Sequence, residues 1–404
     1  MSLSVIPRAG RLVLALGAAT VGLLSCGDDS TDPGCAVVIT TALDSVTEHP
    51  LEIAGLVASA VDCIGDPVTP ITFTSANDNV ATVTTAGIVT GVAYGATTIT
   101  VHAGTANKAI SVSIIGRPFG TSIDTVQSGP ALYGIAVSQS GVVYVTHIGS
   151  NTMAKGSIPL TSFTGTVTVG STPAHVAIAP DGGKAYSTNQ SGASVSVVTV
   201  ASNLTTNTII IGGEPYNLIV SPDGGTLYAS VAAGMVYLIN TSTETVVDSF
   251  SAVVEPNGFA FSPDGTRLYV SSRGSGSVVV YDTLSNIVLD TLVTGGLPQR
   301  MAVSADGAEL YIANEILGLD IWDLNTATRI TSLPMEGYGL ALSPDNTTLY
   351  VSSSQGGRVI LVDRAARAVV DTIVTTGTPR NIAFSRYGVE ALIANEGGFV
   401  TVVR

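Results

Sequence analysis

The side chains best equipped for chemistry fall at two recurring places in this chain. At the first stand Gly134, His175, Asn217, Gly258, Arg300, Gly339 and Asn381, and at the second His147, Asn189, Val231, Ser272, Asn314, Ser353 and Asn395. Arg273, Glu315 and Glu396 lie one residue beyond the second place, and Arg380 lies one before Asn381. Oxygens of Asn and Glu can hold a small polar ligand or a cation. Glu315, Glu396 or His175 could instead act as a general base that opens a lactone or a sugar derivative. A third arrangement leaves little free: Arg300 pairs with Glu315, Arg380 pairs with Glu396, and the asparagines bond backbone, since buried charges and amides need partners. His147 and His175 then serve as hydrogen-bonded rim residues rather than metal ligands.

Local signatures of catalysis are missing: there is no G-x-S-x-G elbow, H-E-x-x-H pair, EF-hand loop, P-loop or C-x-x-C-H haem site. The one tryptophan, Trp322, reads as packing near a third strand rather than as a cofactor platform. Hence no catalytic residue, metal ligand or cofactor is expected.

The two places recur because the chain repeats itself. A turn follows the first strand of each unit: SQSG at Ser138, APDG at Ala179, SPDG at Ser221 and Ser262, SADG at Ser304, SPDN at Ser343 and SRYG at Ser385. Their spacings are 41, 42, 41, 42, 39 and 42 residues. In SPDG the proline sets φ, the aspartate bonds its own backbone and the glycine takes the permissive last position. Before the turn lies a small apolar strand such as Phe259–Phe261. After it comes a strand with Tyr144, Tyr186, Tyr228, Tyr269, Tyr311 or Tyr350, and Leu392 in the last unit. A tyrosine used so regularly is expected to pack between units. A third strand (277–281, 358–362) and a fourth (288–293, 369–374) complete the unit, with Asp282, Asp323 and Asp363 as turn caps after the third.

Four strands at this period make a propeller blade, and seven units make a seven-bladed ring. The last unit has only three strands before Arg404, while Thr121–Gln127 (TSIDTVQ) resembles a fourth strand, VDTIVTT at Val370. That N-terminal strand should close the last blade and remove two exposed edges. The units resemble the YVTN family of β-propeller repeats of bacterial and archaeal surface proteins. The namesake tetrapeptide stands here as Tyr144-Val145-Thr146-His147, Tyr186-Ser187-Thr188-Asn189 and Tyr311-Ile312-Ala313-Asn314. The resemblance implies a fold, 117–404, and not a chemistry.

Ahead of the propeller, 35–116 alternates short strands with Gly, Asn, Asp and Pro turns, the texture of a small β-sandwich. Phe73-Thr74-Ser75-Ala76-Asn77, Val80-Ala81-Thr82-Val83, Gly87, Val89, Gly91, Gly95 and Thr98-Ile99-Thr100 resemble, in order, the bacterial immunoglobulin-like group 2 domain. Such domains act as spacers or adhesion modules. The whole chain therefore reads as all-β, a small immunoglobulin-like sandwich followed by a propeller.

The first residues concern export. Arg8 and Arg11 precede an apolar run, Leu12 to Leu24, too short for a membrane helix but suited to a secretory signal, 1–25. Leu23-Leu24-Ser25-Cys26 resembles the lipobox of bacterial lipoproteins, which makes Cys26 the lipidated N-terminus. Gly27 in place of aspartate then favours the outer membrane, with 26–34 (GDDSTDPG from Gly27) a flexible acidic tether. Cys35 and Cys63 are the remaining thiols, most simply a disulfide in an oxidising compartment, with free thiols as the alternative. With 11% charged residues and a net charge of −14, the chain lacks the basic clusters that nucleic acid needs. The partners expected are a membrane, through the lipid anchor, and a protein, polysaccharide or small molecule.

Together these features describe an exported cell-surface lipoprotein that binds through its propeller face rather than an enzyme. A lactonase-like hydrolase with its site at the channel mouth is the second reading, and a structural surface-layer component the third.

Overall fold

The computed structural model describes residues 37–41, 43–48, 53–62, 64–92, 95–114, 123–386, 388 and 390–404. Cys26, Cys35 and Cys63 lie outside them, and with them the lipidation site and the disulfide. The chain divides into two compact units, Met1–Gly116 and Arg117–Arg404.

The first unit is the immunoglobulin-like sandwich. One sheet orders Ser45–Glu48, Ala106–Ile114, Gly95–Ala103 and Ile71–Ser75, with the first pair parallel. The other orders Ile53–Gly55, Ile88–Gly91 and Ala81–Val83, and a two-stranded ribbon joins Val38–Thr41 to Ala58–Val61. Alternation fills the core between them: Ala81, Val89, Ile99, Val101, Ile110 and Val112 are all fully buried. At Gly87 the backbone takes φ +78°, and a Cβ there would lie 2.4 Å from the Leu56 carbonyl oxygen, so only glycine fits this turn.

The second unit is a ring of seven four-stranded antiparallel sheets. Their first, innermost strands are Leu132–Val137, Pro173–Ile178, Pro215–Val220, Pro256–Phe261, Pro298–Val303, Leu340–Leu342 and Pro379–Phe384. In the seventh sheet the order is Ile123–Gln127, Phe399–Val403, Ala391–Asn395, Pro379–Phe384, so the strand from ahead of the first blade closes the last. Arg404 fastens this joint. Its guanidinium donates to Glu390 Oε1 at 2.6 Å, to Asp124 and to the Leu160 carbonyl, while the Leu160 N–H donates to Glu390 Oε2 at 2.9 Å.

The strand tyrosines are inter-blade packing. Tyr144, Tyr186, Tyr269, Tyr311 and Tyr350 are among the largest fully buried side chains. Each joins a cluster drawn from neighbouring blades, as Tyr311 does with Leu340, Leu349 and Val351. The turns are built as their residues require. Asp223 Oδ1 accepts the Gly225 N–H at 2.9 Å and Gly224 sits at φ +78°, while Asp282 Oδ1 accepts the N–H groups of Leu284 and Ser285. Trp322 is buried between blades with the Arg329 guanidinium 5.2 Å above its ring.

Candidate ligand site at the propeller channel

Six of the seven innermost strands break register at the same place. Pairing passes from Leu132↔His147 to Ile135↔Val145 in the first blade and from Pro298↔Asn314 to Met301↔Ile312 in the fifth. Two residues on the inner strand thus oppose one on the second: Tyr133-Gly134, Ala174-His175, Tyr216-Asn217, Asn257-Gly258, Gln299-Arg300 and Arg380-Asn381. In the sixth blade Tyr338-Gly339 precedes the regular strand at the equivalent place. A bulge re-aims side chains that alternation would hide. Here Tyr133, His175, Tyr216, Arg300 and Asn381 are brought into common networks, while Gln299 and Arg380 face carboxylates.

In the first four blades and the sixth a second-strand hydroxyl accepts the inner-strand N–H opposite it, whereas Ala313 and Ala394 take that place in the fifth and seventh. Thr146 accepts the Gly134 N–H at 2.8 Å and donates to the Ala174 carbonyl of the next blade at 2.9 Å. Ser271 and Ser352 do the same between Gly258 and Gln299 and between Gly339 and Arg380. Neighbouring inner strands come so close that a Cβ on Gly258 would lie 2.0 Å from the Gln299 carbonyl oxygen.

At the axis these side chains form one network. The hydroxyls of Tyr133, Tyr216 and Tyr338 meet in a triangle, with Tyr133 to Tyr216 at 3.0 Å, Tyr216 to Tyr338 at 3.3 Å, and Tyr133 in contact with Tyr338. Arg300 crosses the channel. Its Nε donates to Asn381 Oδ1 at 3.1 Å, Nη1 to the backbone and side-chain oxygens of Asn257 at 3.2 Å each, and Nη2 to His175 Nε2 at 2.5 Å. Asn217 Nδ2 donates to the Asn257 carbonyl, and Asn381 Nδ2 to the Tyr133 carbonyl. Every partner of Arg300 is neutral.

The carboxylates stay at the rim. Glu315 accepts from Gln299 Nε2 at 2.5 Å and from Arg273 at 3.4 Å, and Arg273 also meets Glu255. Glu396 accepts from Arg380 Nε at 2.6 Å, and the Arg380 guanidinium lies over the rings of Tyr338 and Tyr133. The expected Arg380–Glu396 pair is present. The expected Arg300–Glu315 pair is not, because the bulge carries Arg300 to the axis and leaves its neighbour Gln299 facing Glu315.

Titration follows these surroundings. Burial, reinforced by Arg300, drives the His175 imidazole well below its ordinary 6.5. Burial also lowers His147. Desolvation pushes Tyr338 up to about 12 and raises Tyr133 further. Burial acts the same way on Tyr216, but Arg300 and hydrogen bonds from Tyr133, Tyr338 and Asn257 outweigh it, and its phenol is lowered. Burial works against the charge of Arg380, yet Glu396 and the two phenols raise it.

The second-strand residues belong elsewhere. Asn189, Asn314 and Asn395 are fully buried inside their own blades. Asn189 Nδ2 bonds Ser194 and Ser196, Asn395 Nδ2 bonds Thr401 and the Ile393 carbonyl, and Asn314 ties the Gly295 and Leu297 backbone. His147 bonds Ser128 and Thr152 where the first blade meets the closing strand. These four side chains are structural and do not share a ligand site with the residues of the first recurring place. Conversely, Tyr133, Tyr216, Tyr338, Asn257 and Gln299 went unnoticed in the sequence. Each lies one residue before the first recurring place, and a bulge, or in the sixth blade the segment ahead of the strand, brings it into play.

A cavity of about 480 Å³ lies away from the channel, lined by Glu309, Asp323, Asn346, Asp363, Arg364 and Arg367 among others, at the far ends of the fifth and sixth blades. Its arginines are already paired: Arg364 meets Asp306, Glu309 and the Tyr311 hydroxyl, and Arg367 meets Glu309. Among the described residues no group of three or more His, Cys, Asp or Glu is placed to hold a metal ion.

Fold and site together define a class: an immunoglobulin-like module followed by a propeller whose axis is lined by phenols and a guanidinium. Residues 58–114 match the bacterial Ig-like domain (group 2), a module that points to a surface or extracytoplasmic protein. Many solved structures are similar, among them hydrazine synthase of Kuenenia stuttgartiensis, with TM-score 0.62 and 22% identity, over 68% of this chain and 96% of that one. That likeness is one of fold. None of the curated proteins matches the chain.

Proposed function

We propose that this chain is a cell-envelope lipoprotein, anchored through Cys26 in the outer membrane, that presents its propeller as a binding module. In this reading Cys35 and Cys63 staple the immunoglobulin-like spacer, and YVTN-type blades present the channel mouth to a ligand from the envelope or the surroundings. One observation carries it. Arg300 stands partly buried at the axis with only neutral acceptors, whereas buried charges are ordinarily paired. A guanidinium without a counter-ion inside a ring of hydrogen-bonding groups suits a receptor for something brought from outside.

Hydrolysis has less behind it, since each candidate base is engaged. Glu315 and Glu396 accept from arginines, and His175 accepts from Arg300. The test is capture of envelope and extracellular components by the purified chain and by an Arg300→Gln, Tyr216→Phe double variant. The reading expects at least one component to be retained by the former and released by the latter. Identical captures from the two would refute it.

A further inference from the structure

We infer that the channel centre binds a small oxyanion group, such as a phosphate, sulfate or carboxylate, seated against the three hydroxyls of Tyr133, Tyr216 and Tyr338 beside the Arg300 guanidinium. This rests on the channel-mouth reading above and gives its ligand a chemical class.

Three features converge on an anion. The first is donor geometry. Three phenolic O–H groups from the first, third and sixth blades meet within 3.3 Å of one another; they bond one another, and Tyr216 also bonds Asn257. A group seated over the triangle can accept from all three, because a phenol turns its O–H about the C–O bond. Charge-assisted hydrogen bonds to an oxyanion are stronger than those between neutral phenols.

The second is charge. Arg300 favours the ionised forms of all three phenols, a positive contribution at the triangle. Glu255, Glu315 and Glu396 are engaged at the rim by Arg273 and Arg380, Glu336 by Ser353, Ser354 and the Gln355 N–H, and Glu214 is exposed to solvent. Preorganised donors in a site of reduced dielectric hold an anion far better than water-exposed ones do.

The third is access. Tyr133, Tyr216 and Arg300 are each partly exposed, while Asn257, His175 and Gln299 behind them are buried. Tyr338 beside them is buried, so the triangle is approached from the side of Tyr133, Tyr216 and Arg300. A cation finds no free carboxylate at this depth, and a neutral sugar gains nothing from the guanidinium's charge.

The experiment is calorimetric titration of the full chain with sodium phosphate, sodium sulfate and sodium acetate at constant ionic strength, alongside glucose and tetramethylammonium. Saturable one-to-one binding of at least one oxyanion is expected, weakened tenfold or more in Tyr133→Phe and Tyr216→Phe, which keep the rings, and more in Arg300→Gln. If Arg300→Gln does not fold, the two phenylalanine variants decide. An Arg367→Ser control, in the paired groove of the fifth and sixth blades, should bind as the parent chain does. Oxyanion binding unaffected by both phenylalanine variants, or abolished by Arg367→Ser, overturns the inference. So does binding of glucose or tetramethylammonium alone, lost on Tyr216→Phe; that result refutes the anion class and keeps the channel mouth as the binding site. Absence of any binding overturns the inference, and identical captures by parent and double variant would separately overturn the receptor reading.

Discussion

His175 has its imidazole held neutral by burial and by Arg300, which donates to it. The sign of its effect on stability follows from linkage. Above its ordinary value of 6.5 the ring is neutral in folded and unfolded chains alike, and the folded state keeps its full advantage. As pH falls below 6.5 the unfolded chain takes up a proton that the folded chain refuses, so stability drops by up to about 1.4 kcal/mol per pH unit until the lowered folded pKa is reached. Chemical unfolding at pH 7.5 and pH 5.5 should therefore show a larger loss in the parent chain than in His175→Gln, by roughly 1 kcal/mol. His147, lowered by burial as well, contributes with the same sign to both chains. Equal losses in parent and variant would mean that His175 is protonated, or solvated, in the fold.

The bulged inner strand is the element that makes the site, and its tightness is testable. A Cβ on Gly258 would lie 2.0 Å from the Gln299 carbonyl, whereas around Gly149 nothing lies within 4 Å. Gly258→Ala should cost at least 1–3 kcal/mol in thermal or urea unfolding, as other overpacked positions do, and Gly149→Ala should be near neutral. The same element explains what could be read in advance. Turns such as SPDG at Ser221 follow from local chemistry, and so do the third-strand caps at Asp282, Asp323 and Asp363; the fold was legible wherever a residue acts on its own neighbours. Strand alternation, by contrast, has no mark for a two-for-one bulge. The positions of His175, Arg300 and Asn381 could be picked out, but not that Tyr133, Tyr216 and Tyr338, each one residue away from such a place, point to the same axis. Asn189, Asn314 and Asn395 misled for the opposite reason: an amide capping strand ends inside a blade has the same composition as one lining a channel.

For the molecule as a whole, closure is the condition on which the site depends, since the axis network draws on all seven blades. Glu390 is fully buried and joins Arg404 of the last strand to the Leu160 backbone of the first blade. Glu390→Ala leaves the buried Leu160 N–H without its acceptor and Arg404 with Asp124 but without this carboxylate, so it should lose about 1–3 kcal/mol by calorimetric unfolding. The blades' outer strands remain as edges, and each of four carries an exposed aspartate at its middle or start, Asp124, Asp248, Asp290 and Asp371, a charge that discourages pairing with another chain. The claim on which everything else turns is that this ring engages its ligand at the axis. Crystals of the chain soaked in sodium bromide, measured at the bromine edge, test it most directly. The account predicts an anomalous peak within hydrogen-bonding distance of the Tyr133, Tyr216 and Tyr338 hydroxyls; an axis without a peak, with bromide only at surface arginines such as Arg367, would contradict it.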